Sequence, residues 1–277
     1  MPSLLVTGTT GNVGREVANA LKARGVPFKV ATRHAEQAGE AKTYLDLEQP
    51  ETFLAALEGV DKIFLIRPPQ IADAKKYFLP FLNAAKQQHV KHIVFLSLMG
   101  VERNKIVPHA KIEKYILDSG IAYTFLRPSF FLQNLQAQHG QELKQENIIY
   151  VPAGKGRTSF IDARDIGEVG ALCLLDDNHL NKAYTLTGSE ALTYYQVAEI
   201  LTQELGRPIT YANPSGRQFR KHELAKGIPS GLVTIMSLIY LTAKIGLAKK
   251  VTPELAQLLG RPPRTVRDYA HDYRDQL

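Results

Sequence analysis

Cysteine is almost absent from this chain, which has 277 residues and a single cysteine, Cys173. One thiol cannot form a disulfide within the chain, so we expect no disulfide framework, which suits a reducing cytoplasm. Cys173 lies in an apolar run with no basic neighbour that would stabilise a thiolate, and this favours a buried thiol over a reactive one. Histidine and carboxylate residues show no metal-ligand spacing either, so no metal is expected.

We expect no secretory signal either, because an apolar strand is predicted almost at the first residue. Between Gly227 and Ala243 no residue is charged, and the stretch from Leu232 to Leu241 is strongly apolar. The uncharged segment from Gly227 to Ala243 is only at the lower edge of the roughly 17–25 residues that span a bilayer. We therefore expect a cytoplasmic protein without a transmembrane segment. The stretch is predicted to form a buried or substrate-lining helix, with a peripheral membrane contact as the intermediate possibility.

Acidic residues are scarce in the C-terminal part. The formal net charge is +7, and residues 217–277 contain eleven Lys or Arg against five Asp or Glu. Such an excess can attract nucleic acid or an anionic surface. No aromatic residues interleave with the basic ones and no helix-turn-helix pattern accompanies them, so nucleic acid is not expected. Binding to an anionic surface stays open as an alternative for this segment.

Apolar strands and helical segments alternate along the first two thirds of the chain, which predicts an α/β fold with a doubly wound parallel sheet. The predicted strands are residues 3–7, 27–32, 44–46, 61–66, 92–97, 123–127 and 183–187. The predicted helices are residues 12–24, 50–58, 71–88, 108–119 and 193–205. We assign residues 1–150 to a Rossmann domain to which residues 156–190 return. Residues 191–277 are predicted to form a smaller, mostly helical substrate lobe.

The first predicted strand runs directly into a glycine-rich turn, Gly8-Thr9-Thr10-Gly11-Asn12-Val13-Gly14. A helix that opens on such a turn presents backbone N–H groups and a favourable dipole to a pyrophosphate. Gly8 would permit the tight turn, Gly11 a close approach to phosphate oxygens, and Gly14 tight packing of helix on strand. The turn predicts a dinucleotide site that includes Thr10, Asn12 and Val13.

Ligands of such sheets bind beyond the carboxyl ends of the strands. Arg33 follows the second strand, where an arginine accommodates a 2′-phosphate, so NADP is favoured and NAD is possible; the alternative is an exposed surface charge. Asp46 is predicted to accept a hydrogen bond from adenine or to serve as a turn residue. Arg67 would contact phosphate or substrate, or form an ion pair at the rim. Ser97 and Pro128 end two further strands.

Several longer segments together resemble the NmrA-like family, an atypical branch of the short-chain dehydrogenases. They are residues 6–14, 31–33, 95–101, 109–113, 124–134 and 160–166, and the likeness extends from Leu4 to about Gly206. The resemblance implies a Rossmann fold that binds NAD(P). The family includes NAD(P)H-dependent quinone reductases and regulators that bind the dinucleotide without turning it over.

Catalytic members of the wider superfamily use a Tyr-x-x-x-Lys pair after the fifth strand. The resemblance places Lys111 at the lysine position, where it would bind the nicotinamide ribose, but Val107 stands where the tyrosine would be. The pattern does occur at Tyr240 and Lys244, far past the sheet, and we interpret this as a chance match. Ser97 matches the superfamily's Ser/Thr position; its alternative is a hydroxyl that caps a turn.

A missing tyrosine favours an acceptor that needs little acid catalysis. A quinone that accepts hydride gives a stabilised anion, so we predict NADPH-dependent hydride transfer to a quinone or a similar small electrophile. Phe130, Phe131 and Met99 are candidate walls of the acceptor slot, with Phe130 also beside the cofactor, and core packing is their alternative. His109 is a candidate proton source. The alternative function is a dinucleotide-sensing regulator that binds a protein partner.

Overall fold

A computed structural model describes residues 3–277, and the chain divides into two compact units. The first unit comprises the described residues up to Pro128 together with Ala163–Leu186. The second comprises Ser129–Asp162 and Thr187–Leu277.

Eleven strands and eleven α-helices follow one another along the described chain. The strands are β1 (Leu4–Val6), β2 (Lys29–Thr32), β3 (Lys42–Tyr44), β4 (Lys62–Ile66), β5 (His92–Leu96), β6 (Ala122–Pro128), β7 (Ile148–Ile149), β8 (Arg157–Thr158), β9 (Lys182–Leu186), β10 (Leu192–Thr193) and β11 (Thr210–Tyr211). The helices are α1 (Asn12–Ala23), α2 (Phe53–Leu57), α3 (Ala74–Gln87), α4 (Pro108–Ser119), α5 (Asn134–Gln145), α6 (Ala163–Leu175), α7 (Tyr194–Leu205), α8 (Gly216–Ala225), α9 (Ser230–Lys244), α10 (Glu254–Leu259) and α11 (Val266–Asp272).

The first unit is built on a seven-stranded sheet in the order β3-β2-β1-β4-β5-β6-β9. Every neighbouring pair in this sheet is parallel. The chain moves outward from β1 through β2 and β3, and then crosses to β4 on the other side of β1. The predicted doubly wound Rossmann fold is therefore confirmed, and its switch point lies between β1 and β4.

Helices cover both faces of this sheet, as buried parallel strands require. Along β4, Ile63 and Leu65 join a core cluster with residues of α2, α3 and α4. Phe64 points to the opposite face, where α6 passes so close that a Cβ on Gly170 would lie 2.8 Å from the Phe64 ring. Glycine at that position lets the helix pack directly on the sheet. Cys173 lies on the same helix and is fully buried, and burial raises the pKa of its thiol to about 12.

The third strand lies two residues earlier than predicted, at Lys42–Tyr44 rather than 44–46. The chain turns at Asp46 because its carboxylate accepts hydrogen bonds from the Glu48 N–H at 3.0 Å and from Gln49 Nε2 at 3.3 Å. The predicted helix at 50–58 begins as a 3-10 turn, Pro50–Thr52, before α2.

The boundary between the units also differs from the predicted one at residue 150. Residues 129–150, 156–162 and 187–190, which the sequence placed with the Rossmann domain, belong to the second unit. After β6 the chain leaves the sheet, and the Leu132 N–H donates to the Ile161 carbonyl at 2.9 Å while Ile161 N–H donates to Phe130. The two stretches thus pair with each other, and Leu132, Leu135 and Ile149 join the second unit's core. The chain re-enters the first unit at Ala163, where α6 begins.

The second unit consists of six helices and two short two-stranded sheets, β8 with β10 and β7 with β11. Three of its helices, α7, α8 and α11, open with capping boxes in which the N-cap hydroxyl accepts from a backbone N–H three residues on. Its core is rich in aromatic residues, including Phe160, Tyr194, Phe219 and Tyr240. Among the described residues, no helix is long and apolar enough to cross a membrane.

The core of the second unit also holds a cluster of charges. Glu142 on α5 and Glu223 on α8 are only 3% and 0% exposed. The Lys226 ammonium lies 2.6 Å from one Glu142 oxygen and 3.4 Å from a Glu223 oxygen, and His222 contacts Glu142 at 2.8 Å. Burial alone would raise the pKa of Glu142, but the hydrogen bonds from Lys226 and His222 lower it to about 2. Burial raises the pKa of Glu223 against the opposing effect of Lys226. The side chains of Glu142, His222 and Glu223 are of the types that can bind a metal ion. Here the Lys226 ammonium supplies the positive charge between the carboxylates.

Replacing Lys226 by methionine should therefore destabilise the protein by about 2 kcal/mol at neutral pH, because two adjacent carboxylates would lose their cation. The stabilisation from Glu142 is present above its unfolded pKa near 4.5 and is lost as the pH falls toward 2. The deficit of Lys226→Met should shrink in that range, as urea unfolding at neutral pH and near pH 3 would show. Lys221→Met, at an exposed position of the same helix, is the matched control. A deficit independent of pH would contradict this account.

Candidate functional site

The carboxyl ends of parallel strands bring most of the predicted site residues to one edge of the first unit's sheet. Arg33, Arg67 and Ser97 each follow directly on a strand, namely β2, β4 and β5, and Gly8 comes two residues after β1. Asp46 comes two residues after β3, and Pro128 is the last residue of β6. This edge, at the switch point, is where ligands of such sheets bind.

The glycine turn has the geometry that its spacing predicts. Gly8 adopts φ 67°, in the left-handed region, and its carbonyl accepts from the Gly11 N–H at 3.0 Å. A Cβ on Gly14 would lie 2.3 Å from the Gly8 oxygen and 2.7 Å from that of Thr7, so only glycine fits there. Gly11 is the N-cap of α1 and offers no capping side chain. The first N–H groups of α1 thus point toward this edge with a helix dipole behind them.

Thr7, at the end of β1, was missed by the sequence reasoning. Its hydroxyl donates to the Phe64 carbonyl at 3.0 Å and accepts from the Ile66 N–H at 2.8 Å. The side chain thus takes over the pairing of β1 with β4 where the two strands diverge. The sequence signal was a threonine, rather than an aliphatic residue, as the last position before the glycine turn.

Arg33 and Asp46 differ in how far the protein itself uses their side chains. Arg33 is exposed, and its guanidinium makes no ion pair or hydrogen bond with any residue in the described part of the chain. Asp46 is half-buried and holds its own turn through Glu48 and Gln49, which is the turn role that the sequence left open. A carboxylate can accept further hydrogen bonds, so this role does not prevent contact with adenine.

Arg67 and His109 come together at the end of β4. The Arg67 guanidinium donates to the carbonyls of Pro68, Pro69 and Ile71 at 3.0, 3.1 and 2.6 Å. No carboxylate among residues 3–277 pairs with it, which removes the ion-paired rim as an explanation. Its Nε–H donates to His109 Nε2 at 3.5 Å, so the imidazole proton lies on Nδ1.

His109 is consequently a poor proton source. Burial first, and then the neighbouring Arg67 charge, lower the pKa of His109 to about 3. The imidazole is neutral at physiological pH and carries no proton that it can readily release. A neutral His109 is not suited to act as the general acid. Its Nε2 accepts the hydrogen bond from Arg67 instead.

Ser97 is 4% exposed and its hydroxyl has no hydrogen-bond partner in the described structure. Its backbone N–H donates to Leu126 at 2.7 Å, and the next loop is fixed by the bond from Met99 N–H to the Pro128 carbonyl at 3.0 Å. An unsatisfied buried hydroxyl costs about 1–3 kcal/mol. Packing alone does not explain an unpaired hydroxyl at Ser97, close to the edge where ligands of such sheets bind.

Lys111 is exposed on α4, and a buried ion pair fixes that helix. Arg127 on β6 binds Glu113 through two hydrogen bonds of 3.0 and 2.7 Å, and Glu113 is only 7% exposed. This bidentate pair ties α4 to the sheet two residues after Lys111. Sequence reasoning missed it, although a glutamate beside Ile112 on the inward face of a helix indicates a buried partner.

The remaining candidates belong to the second unit. Phe130 packs against Phe160 and Tyr240, with ring centroids 6.0 and 5.9 Å apart. Phe131 bridges to Ile161. Tyr240 is 1% exposed and its hydroxyl contacts His139 in the core. The Tyr240 and Lys244 match is thus part of the packing of α9, in keeping with a chance match.

Substitutions of Gly14 and Gly11 distinguish the role of the turn in packing from its role in dinucleotide binding. Gly14→Ala forces a Cβ into the Gly8 carbonyl, so thermal unfolding should show a loss of about 2 kcal/mol or more. Gly11→Ala meets only ordinary contact, 3.4 Å from the Gly8 oxygen, and should cost about 1 kcal/mol or less while weakening dinucleotide binding in calorimetry. Equal stability losses in the two variants would contradict the assigned geometry.

Known proteins resemble this chain over nearly its whole length. The NAD(P)H azoreductase of Xenophilus azovorans is 34% identical over 277 residues, which cover 96% of each chain. The crystal structure of the NADPH-dependent quinone oxidoreductase of Escherichia coli with NADPH matches with a TM-score of 0.87 and 27% identity, covering 97% of this chain and 99% of that one. NmrA, a negative transcriptional regulator solved with NADP, shares the fold with a TM-score of 0.79 at 17% identity, covering 99% and 95%. The sequence model of the NmrA-like family matches residues 2–270, and the chain belongs to the NmrA-like family.

Proposed function

We propose that this protein is an NADPH-dependent reductase that transfers hydride to a quinone or a similar small electrophile. The observation that carries the proposal is the geometry of the glycine turn, in which a Cβ at Gly14 would lie 2.3 Å from the Gly8 carbonyl oxygen. The names of two relatives support the chemistry, because one is an NAD(P)H azoreductase and the other an NADPH-dependent quinone oxidoreductase.

The cofactor-binding residues are those at the strand ends of the first unit. Backbone groups from Thr10 to Gly14 would hold the pyrophosphate, and Arg33 would bind the 2′-phosphate with a guanidinium that no group of the described residues engages. Asp46 would face the adenine and Lys111 the nicotinamide ribose. Arg67 adds a positive charge at the same edge that no carboxylate among residues 3–277 pairs with. Ser97 and Pro128 complete the proposed contacts within the first unit.

Bound NADPH supplies the hydride, and the chain's own residues bind, orient and neutralise. Reduction of a quinone consumes one NADPH and one proton and yields a hydroquinone and NADP. Because His109 is neutral and Val107 offers no acidic group, the proton comes from solvent. An acceptor whose reduced form is a stabilised anion is compatible with that arrangement, whereas a simple ketone requires a proton donor at the developing alkoxide.

A sensor role in which the dinucleotide controls binding to a protein partner is the second candidate. Its supporting observation is Val107 at the place of the superfamily tyrosine. The fold is shared with a regulator, but a likeness of that degree carries no function. The cytoplasmic location expected from the cysteine content is likewise part of the proposal.

Arg33 should set the choice between the two dinucleotides. Arg33→Ala removes the only side-chain charge assigned to the 2′-phosphate, so the preference for NADPH over NADH should fall by about tenfold or more in calorimetric titrations. Affinity for NADH should change little. Arg24→Ala makes the same charge change at the other end of α1 and serves as the control. An unchanged preference in Arg33→Ala would place the 2′-phosphate elsewhere.

Turnover is tested by stopped-flow loss of NADPH absorbance with a panel of benzoquinones and naphthoquinones. We expect oxidation of NADPH and a rate that shows no inflection near pH 6.5, because His109 stays neutral there. His109→Gln should slow the reaction by less than about tenfold, against the roughly 100-fold or greater loss expected when a general acid is removed. Tight NADPH binding without turnover of any acceptor would reject the reductase and favour the sensor.

A further inference from the structure

Helix α9 of the second unit has two apolar sides. One side packs into the unit's core through Val233, Met236, Tyr240 and Ala243. The other side is exposed yet carries five large aliphatic residues, each 41–57% exposed: Leu232, Ile235, Leu238, Ile239 and Leu241. Continuing the chain, Ile245, Leu247 and Val251 are 60%, 63% and 44% exposed. We call these eight residues the α9 face. Aliphatic residues exposed singly are ordinary, whereas a contiguous set of this size indicates an interaction surface.

The segment that carries the α9 face is rich in positive charge and has no exposed carboxylate. Residues 217–250 contain seven Lys or Arg: Arg217, Arg220, Lys221, Lys226, Lys244, Lys249 and Lys250. Their only acid is Glu223, which is fully buried beside Lys226. Arg220 donates to the Thr234 hydroxyl at 3.1 Å, which places part of the basic helix α8 directly against α9.

We propose that the α9 face docks on the surface of an anionic membrane. Its aliphatic side chains would enter the boundary between headgroups and acyl chains while the surrounding Lys and Arg contact lipid phosphates. Helix α9 has 15 residues and a length of about 22 Å, short of the roughly 30 Å hydrocarbon core. The helix therefore lies on the membrane and does not span it.

Charge favours a lipid surface over a second copy of the chain. A symmetric contact through the α9 face would bring two basic rims together. The segment has no exposed carboxylate that could neutralise these charges. An anionic membrane supplies negative charge in its headgroups and an apolar region in its acyl chains.

Vesicle binding tests the proposal without cofactor or substrate, so its result is independent of the proposed reductase. The full chain is sedimented with phosphatidylcholine vesicles, with or without added phosphatidylglycerol, at low and high salt. We expect binding to the anionic vesicles and weakening with salt, and little binding to phosphatidylcholine alone.

Two double variants separate the apolar and electrostatic parts. Ile235→Ser with Leu238→Ser should weaken binding to anionic vesicles by about tenfold or more. Lys249→Glu with Lys250→Glu should weaken it by at least about fivefold for each lysine removed. The matched controls lie in the first unit: Leu54→Ser with Leu117→Ser, which are 41% and 49% exposed, and the exposed pair Lys22→Glu with Lys75→Glu. All variants alter exposed side chains, so their melting temperatures should match that of the parent.

The proposal is overturned if the protein does not bind anionic vesicles, or if the double variant Ile235→Ser with Leu238→Ser binds them as tightly as the parent does. Sedimentation velocity distinguishes the competing occupant. A dimer that dissociates in the same variant, without vesicle binding by the parent, would assign the α9 face to a contact between copies of this chain.

Discussion

The contact between the start of α1 and the end of β1 is the constraint on which the first unit depends. With Gly14 pressed on the Gly8 carbonyl, the helix leaves the strand without room for a side chain. Farther along, α1 meets α6 just as closely, because a Cβ on Gly167 would lie 2.5 Å from the Glu16 backbone. Helix α1 is therefore held by backbone contact on two sides, and its N–H groups are fixed at the edge where an anion is expected.

Much of this arrangement could be predicted because its signals are local. The strand, the glycine spacing and the following helix lie within twenty residues, and periodicity locates the other sheet elements. The Arg67 bonds to its own loop and the Glu113–Arg127 pair depend on how separate segments meet in space. The unit boundary was misplaced for the same reason, because the pairing of Leu132 with Ile161 joins short stretches that show no periodic pattern.

The charged side chains at the carboxyl edge of the sheet favour the binding of an anion, and they do not favour a protonated acid there. Arg33 and Arg67 carry positive charge that no described carboxylate neutralises, so an anionic ligand gains from both. Burial, together with the Arg67 charge, keeps His109 neutral. One arginine thus adds positive charge at this edge and also disfavours a charged, acidic imidazole beside it.

The second unit shows why a charge count from the sequence understates a positive surface. Glu142 and Glu223 are buried beside Lys226. Buried carboxylates offer little negative charge to solvent, while Arg217, Lys249 and Lys250 remain exposed. The surface beside α9 is therefore more basic than the composition implies. That concentration of cations around aliphatic side chains makes a long-range attraction and a short-range apolar contact act on the same partner.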